Sequence, residues 1–250
     1  MSYQLKRHPI PVRAFFRHSL VLTYALPQEL LRPLLTPGLI LDTLDSFGFL
    51  AIAMVQTESL RPIFFPRALG RNFFLSGYRI FARFRTSAGR TLRGLKILRS
   101  DTDSRVMVAF GNALTHYAYR YARVTVSETP ESLEIQITTP DGEADVHCLA
   151  QIGVPAERVP EGSPFSDLHQ ARLFAGPLPF TFDYEPQTHS IVIIEGVREN
   201  WAPKPVHVEI FRARFFDREP FCKARPILAN AFHVKHIGYS WRRGMREKLA

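Results

Sequence analysis

The 250-residue chain reads as an α+β protein, predominantly antiparallel β, with a few short helices and a single domain. Three observations predict this. Around residues 74–84 the side chains alternate. Phe74, Tyr78, Ile80, Ala82 and Phe84 fall on one face, and Phe73, Leu75, Arg79, Phe81, Arg83 and Arg85 on the other, the period of a half-buried strand. Twenty phenylalanines accompany many Val, Ile and Tyr residues, which fit a pleated surface. Nineteen prolines against fourteen glycines imply many rigid connections, and no repeat or low-complexity segment divides the chain.

The alternating strand carries the first chemical expectation. Ser87-Ala88-Gly89-Arg90 supplies a turn, with glycine where a positive φ is wanted, and residues 91–99 return as the partner strand. If Thr86 pairs with Thr91, Lys96 faces Phe81 and shares a face with Arg79, Arg83 and Arg85. An amine among positive charges, and partly buried, loses affinity for its proton and becomes a nucleophile able to form a Schiff base. The bland alternative is a solvated basic face with Lys96 snorkelling to water, and a one-residue slip in register would separate Lys96 from the arginines.

Taking the chain in order, residues 17–25 form a first strand and residues 27–35 a helix of a turn or two, opened by Pro27, limited by Arg32-Pro33 and stopped by Thr36-Pro37-Gly38. Residues 39–44 and 47–56 make a hairpin around Asp45-Ser46. The second arm, FGFLAIAMVQ, is apolar enough to be buried on both faces. Residues 57–71 read as a long loop, a candidate lid, with Ile63-Phe64-Phe65 able to cover a pocket. Asp101 to Ser104 make a turn. Residues 105–116 fit either strand or helix. Strands follow over 117–126, 132–138 and 143–152, the last two joined by the turn Thr139-Pro140-Asp141-Gly142. Ser166 caps a helix over 167–174. Hairpin strands over 180–184 and 190–198, then strands over 205–216 and 227–241, complete the chain.

Composition narrows the function classes. The N-terminus carries charge without an apolar run, so it is no signal peptide, and no segment is apolar enough to cross a bilayer. Cys148 and Cys222 are too few for a disulfide framework and lack metal-ligand spacing. A cytoplasmic location is the resulting expectation. A net charge of +9 raises nucleic acid or a membrane surface as partners. Lys and Arg are nevertheless spread along the chain, with the densest clusters, Lys6-Arg7 and Arg242-Arg243 with Arg246 and Lys248, at its two ends. Solvated surface and attraction for small anions explain the charge better, which argues against a nucleic-acid partner. No phosphate cradle, Ser-His-Asp pattern or cofactor motif stands out. His207 and Glu209 alternate on one strand as a polar face, and His233 and His236, three apart, point to opposite faces, so no metal site is expected.

Two further groups are candidates for chemistry. His116, Tyr117, Tyr119 and Tyr121 form a polar-aromatic cluster of the kind that lines small-molecule pockets, or ordinary packing in an aromatic-rich protein. Glu195 ends the apolar run Ile191 to Ile194; if buried, it needs a cation or its pKa rises.

The segments LLRPLLTPGLILDTLDSFGFLAIAMV (residues 30–55), NFFLSGYRIFARF (72–84) and GLKILRSD (94–101), with the early Arg17-His18-Ser19-Leu20 strand, resemble the bacterial DUF2071 (YqjF-like) family. That resemblance implies an acetoacetate decarboxylase-like fold, a cone-shaped, mostly antiparallel β-barrel with a few short helices and an internal cavity. Such decarboxylases use a lysine Schiff base, a second lysine that depresses its pKa, and nearby Glu and Arg. Here the family's strand glutamate is replaced by Leu75 and its asparagine by Gly77, while Arg79 is retained. No lysine pair stands near residues 116–123, and Lys96 occupies a position that is usually aromatic.

The leading expectation is therefore a small-molecule-binding barrel for an anionic or carbonyl-containing ligand, with Arg79, Arg83, Phe81, Tyr117 and Tyr119 as binding residues. The first alternative is a lyase acting on a keto acid, with Lys96 forming the imine and His116 or Glu195 moving protons. The second is a basic nucleic-acid or membrane-surface binder. A homo-oligomer is left open.

Overall fold

The computed structural model describes residues 3–176 and 178–249. Its first half holds β1 (Val12–Pro27), α1 (Gln28–Leu31), β2 (Leu39–Leu41), β3 (Thr43–Leu44), β4 (Phe47–Pro62), β5 (Arg71–Arg85), β6 (Thr91–Thr102) and α2 (Arg105–Leu114). Next come β7 (Tyr119–Tyr121), β8 (Arg123–Glu128), β9 (Ser132–Thr138), β10 (Val146–Gln151) and α3 (Leu168–Ala175). The chain ends with β11 (Phe180–Glu185), β12 (Ser190–Arg198), β13 (Lys204–Pro205), β14 (His207–Ala213), β15 (Ile227–Trp241) and β16 (Met245–Lys248).

Seven of these strands close on themselves in the order β15, β1, β4, β5, β6, β11, β12 and back to β15. An odd number of strands cannot close with antiparallel pairs alone, and the β6–β11 junction is the parallel one. It is short, joining residues 94–96 to residues 180–182, and the β12–β15 closure spans only Gly196 to Arg198 against Tyr239 to Trp241. The result is a ring of strands rather than a regular barrel. A four-stranded antiparallel sheet, β14-β10-β9-β8, covers one side.

Alternation along the ring strands serves two different spaces. The outward residues of β1, β4 and β5, including Leu20, Leu22, Leu50, Ile52, Met54, Tyr78 and Ile80, pack with Leu133, Ile135, Ile137, Val146 and Cys148 of the small sheet into one core. Residues 48–55 are all buried, as the apolar run of β4 predicts. Inward, the row Val21, Ala53, Gly77 runs side by side across β1, β4 and β5. With Ser19 and Ala51 beside it, this row is too small to fill the ring, and a cavity remains.

Several boundaries differ from expectation. The loop is shorter than residues 57–71, because β4 continues to Pro62 against Val12 and β5 begins at Arg71. Residues 105–114 are helical: Ser104 accepts a hydrogen bond from the Met107 amide and caps α2. The strand expected over 117–126 starts only after Ala118, at φ 52°, and is interrupted at Ala122; β7 pairs with β6 of the ring and β8 joins the small sheet. Asp167, not Ser166, caps α3 through the Gln170 amide. The short helix after Pro27 is one α turn followed by one 3₁₀ turn, as Arg32-Pro33 dictates.

The register of the central hairpin is the most consequential difference. Thr86 bonds to Arg90 through both backbone and side chain, and Gly89 takes φ 79°. Arg85, rather than Thr86, therefore faces Thr91. That single step puts Lys96 opposite Ile80 and Leu95 opposite Phe81, and takes Lys96 away from the row of arginines.

Candidate functional site

The ring encloses a cavity of about 400 Å³, within the range of small-molecule sites. Its walls are mostly apolar, and Arg79, Phe81, Tyr117 and Tyr119 all line it. The open end lies where β4 passes into β5 and where α2 follows β6, since Arg61, Phe65 and Leu69 of the first connection and Val106 and Phe110 of the second line it too.

Arg79 holds the most unusual position. Its side chain lies over Gly77, where an added Cβ would stand 2.8 Å from the guanidinium Nε. The missing side chain at Gly77 is what makes room for the cation. That Nε is sealed from solvent without a hydrogen-bond partner. Burial lowers the Arg79 pKa, tyrosines 239, 119 and 117 oppose the effect, and Arg198 reinforces it. Among the described residues no carboxylate neutralises Arg79.

A second arginine, overlooked in the sequence, completes the charge. Arg198, at the end of β12, also lines the cavity and also has an unpartnered, sealed Nε. It lies over the rings of Trp201 and Tyr239, 4.8 and 5.2 Å from their centroids, and donates to the Leu178 carbonyl at 3.2 Å. Gly196 admits the Tyr239 hydroxyl, which an added Cβ would strike. The only sequence signal was an arginine one strand-period beyond a glycine, at the end of an apolar strand.

The tyrosines supply neutral polar groups. Burial raises the pKa of Tyr119 to about 12 and that of Tyr117 well above its usual value, so both stay protonated donors. The Tyr117 hydroxyl approaches Thr181 without a well-formed hydrogen bond. Tyr119 is fixed by Asn112, which both donates to its carbonyl (2.9 Å) and accepts from its amide (2.7 Å). Gly111 lets α2 rest directly on the Tyr119 ring.

The remaining candidates lie elsewhere. Lys96 does not line the cavity, although its neighbours Leu95 and Ile97 do. Its ammonium is held 2.9 Å from Asp183, so it faces a carboxylate instead of positive charge. Asp183 is buried, which raises its pKa against the pull of Lys96 and then His116. His116 stands near this pair with its own pKa lowered, first by burial, and its Nε2 unpartnered. Glu195 pairs with Arg242 at 2.9 Å. It is not a cavity residue, because Thr181 and its partner Ile194 take the inward position next to it. Arg83 binds Asp42 jointly with Arg93 (Nε to Oδ distances of 2.6 and 2.7 Å) and is likewise not a cavity residue.

Among the described residues no three His, Cys, Asp or Glu side chains converge to hold a metal, and no helix is long and apolar enough to cross a membrane. The terminal basic clusters are partly neutralised, Arg7 by Glu185 at 2.7 Å and Arg242 by Glu195.

Structural comparison places the fold. Acetoacetate decarboxylase from Legionella pneumophila superposes with a TM-score of 0.62 at 11% identity, over 97% of this chain and 88% of that one. The enduracididine biosynthesis enzyme MppR, in complex with pyruvate, gives 0.62 at 12% identity over 95% and 90%. An acetoacetate decarboxylase-like enzyme from Sphingomonas wittichii RW1 gives 0.58 at 14% identity over 98% and 96%. At these identities the likeness shows a shared fold. No functionally curated protein matches this chain in sequence. The family model of DUF2071, described as an uncharacterized conserved protein (COG2071), matches residues 13–235, and the chain belongs to that family.

Proposed function

We propose that this protein binds a small organic acid in the ring cavity, with Arg79 and Arg198 holding its carboxylate. One observation carries the reading: two guanidinium groups border the same cavity with sealed, unpartnered Nε atoms, and among the described residues neither forms an ion pair with a carboxylate. Both side chains are half-buried, and a sealed N–H without an acceptor is costly; an incoming carboxylate, which accepts two parallel bonds from a guanidinium, offsets that cost. Tyr117 and Tyr119, protonated and aimed at the same space, add donors. The pyruvate complex of MppR supports the ligand class, since it shows a carbonyl acid bound by a neighbour of the same fold.

The Schiff-base alternative needs an amine on the cavity wall. Among the described residues no lysine lines the cavity, and the Lys96 amine is engaged by Asp183 at 2.9 Å, away from the cavity wall. These features weigh against a lyase.

Thermal denaturation with matched pairs of carboxylates and their primary amides tests the reading. A ligand at a hundred times its Kd should stabilise by about 2.7 kcal/mol. The acids should raise the midpoint and the amides should not, and Arg79→Gln should abolish the difference. Equal effects of acid and amide would sink the proposal.

A further inference from the structure

We propose that the ligand is an amphiphile, a medium-chain acid whose carboxylate sits at Arg79 and whose apolar body runs out to the mouth of the ring; this rests on the anion-binding reading above. The mouth carries the argument. Ile10, Phe65, Leu69, Val106 and Phe110 all line the cavity, yet all are exposed, Phe110 at 64% and Leu69 at 60%. Large apolar side chains exposed singly need no explanation. Five around one opening form a patch of the kind that marks a ligand-binding groove.

The rim is constructed rather than loose. Arg13 donates to the Ile63 carbonyl at 2.7 Å, and Arg61 donates to the carbonyls of Ser59 (2.8 Å) and Phe65 (3.2 Å). Backbone polarity in the connection is thereby satisfied, and Phe64 and Phe65 pack edge to face at 5.1 Å. Across the opening, Val106 and Phe110 stand one turn apart on α2, whose only buried residue is Gly111. This helix presents apolar side chains to the mouth while resting by a glycine on Tyr119.

The length of the channel follows from the strand. The Arg79 guanidinium lies over Gly77, and Phe73, four residues nearer the mouth, lines the wall. Four residues of strand are about 13 Å, comparable to the extended length of a medium-chain acid. Leu75, Ile97, Val55 and Ala53 line the interval, so the body of the ligand meets no charge between the guanidinium and the rim. A two- or three-carbon acid would occupy the cationic end and leave the rest of the cavity without contacts.

Isothermal titration with butyrate, octanoate and decanoate, below their micelle concentrations, tests this alongside octanamide. Affinity should rise roughly fourfold per added methylene, on the order of two hundredfold from butyrate to octanoate. The double variant Phe65→Ser/Phe110→Ser changes only exposed side chains; it should weaken decanoate about tenfold and leave butyrate unchanged. Butyrate and octanoate binding equally, with Arg79→Gln abolishing both, would overturn the amphiphile and keep the anion site. Octanamide matching octanoate, or no acid binding at all, would overturn the anion reading itself. Decanoate affinity unmoved by the rim substitutions would show that the rim faces some other partner and remove it from this site.

Discussion

Arg79 is the residue at which binding and stability should separate. Its Nε is sealed without an acceptor, and among the described residues it has no carboxylate partner, so Arg79→Met should raise the unfolding free energy by about 1 kcal/mol while abolishing acid binding, as chemical denaturation and titration of the same sample would reveal. A structural arginine would lose stability instead. Gly77→Ala probes the same point without removing any contact to a ligand. The new Cβ meets the movable end of Arg79, so stability should change by less than about 1 kcal/mol, but the displaced guanidinium should bind roughly tenfold more weakly. Arg79 was legible because strand alternation puts it on a single face with Phe81. The role of Gly77 was not, since its significance depends on the small row it shares with Val21 and Ala53 across two other strands. Arg198 was missed for the same reason: the strand that aligns it with Tyr239 is more than forty residues away in sequence.

At the scale of elements, the β5–β6 hairpin decided which chemistry the protein has available. A five-residue loop in place of a four-residue one, closed by Thr86 and Arg90, moved Lys96 out of the arginine row. It paired with Asp183 of β11, across the one parallel junction of the ring. Such a long-range junction leaves no local signature, whereas the apolar run of β4 and the alternation of β5 do. The pairing has a measurable consequence. Lys96→Ala leaves Asp183 buried and uncompensated, and should cost about 3 kcal/mol of stability. Borohydride treatment with pyruvate or acetoacetate should leave the intact mass unchanged, since Lys96 is paired with Asp183 and stands off the cavity wall. A trapped adduct lost in Lys96→Ala would instead restore the lyase reading.

For the whole molecule, the ring and the covering sheet are joined by a buried histidine chain. His18 Nε2 lies 3.0 Å from the carboxylate of Glu128 in β8, close enough for charge attraction but without a well-formed hydrogen bond. The His18 Nδ1 shares a hydrogen bond with His233 Nε2, also at 3.0 Å. Burial, then the charge of His18, lowers the His233 pKa to about 4, with Lys235 and Lys204 adding to the effect and Glu128 opposing it. Burial lowers that of His18 as well, against Glu128 and with Lys235 and Arg17. Because the unfolded chain binds these protons near pH 6.5 and the folded one does not, stability is complete above pH 6.5 and falls as the pH drops towards 4, by about 2 kcal/mol. His233→Gln should flatten that slope in urea titrations across the window. The net charge of +9 draws anions towards the molecule; among the described residues the sealed, unpartnered guanidinium nitrogens are those of Arg79 and Arg198 at the cavity. Direct observation of the Arg79 Nε–H by NMR on protein labelled with ¹⁵N-arginine, assigned by its loss in Arg79→Gln, tests that claim most closely. We expect a resonance protected from solvent exchange in the free protein that shifts when octanoate is added, together with that of Arg198. A resonance that exchanges freely, or that stays in place while octanoate binds, would contradict the account.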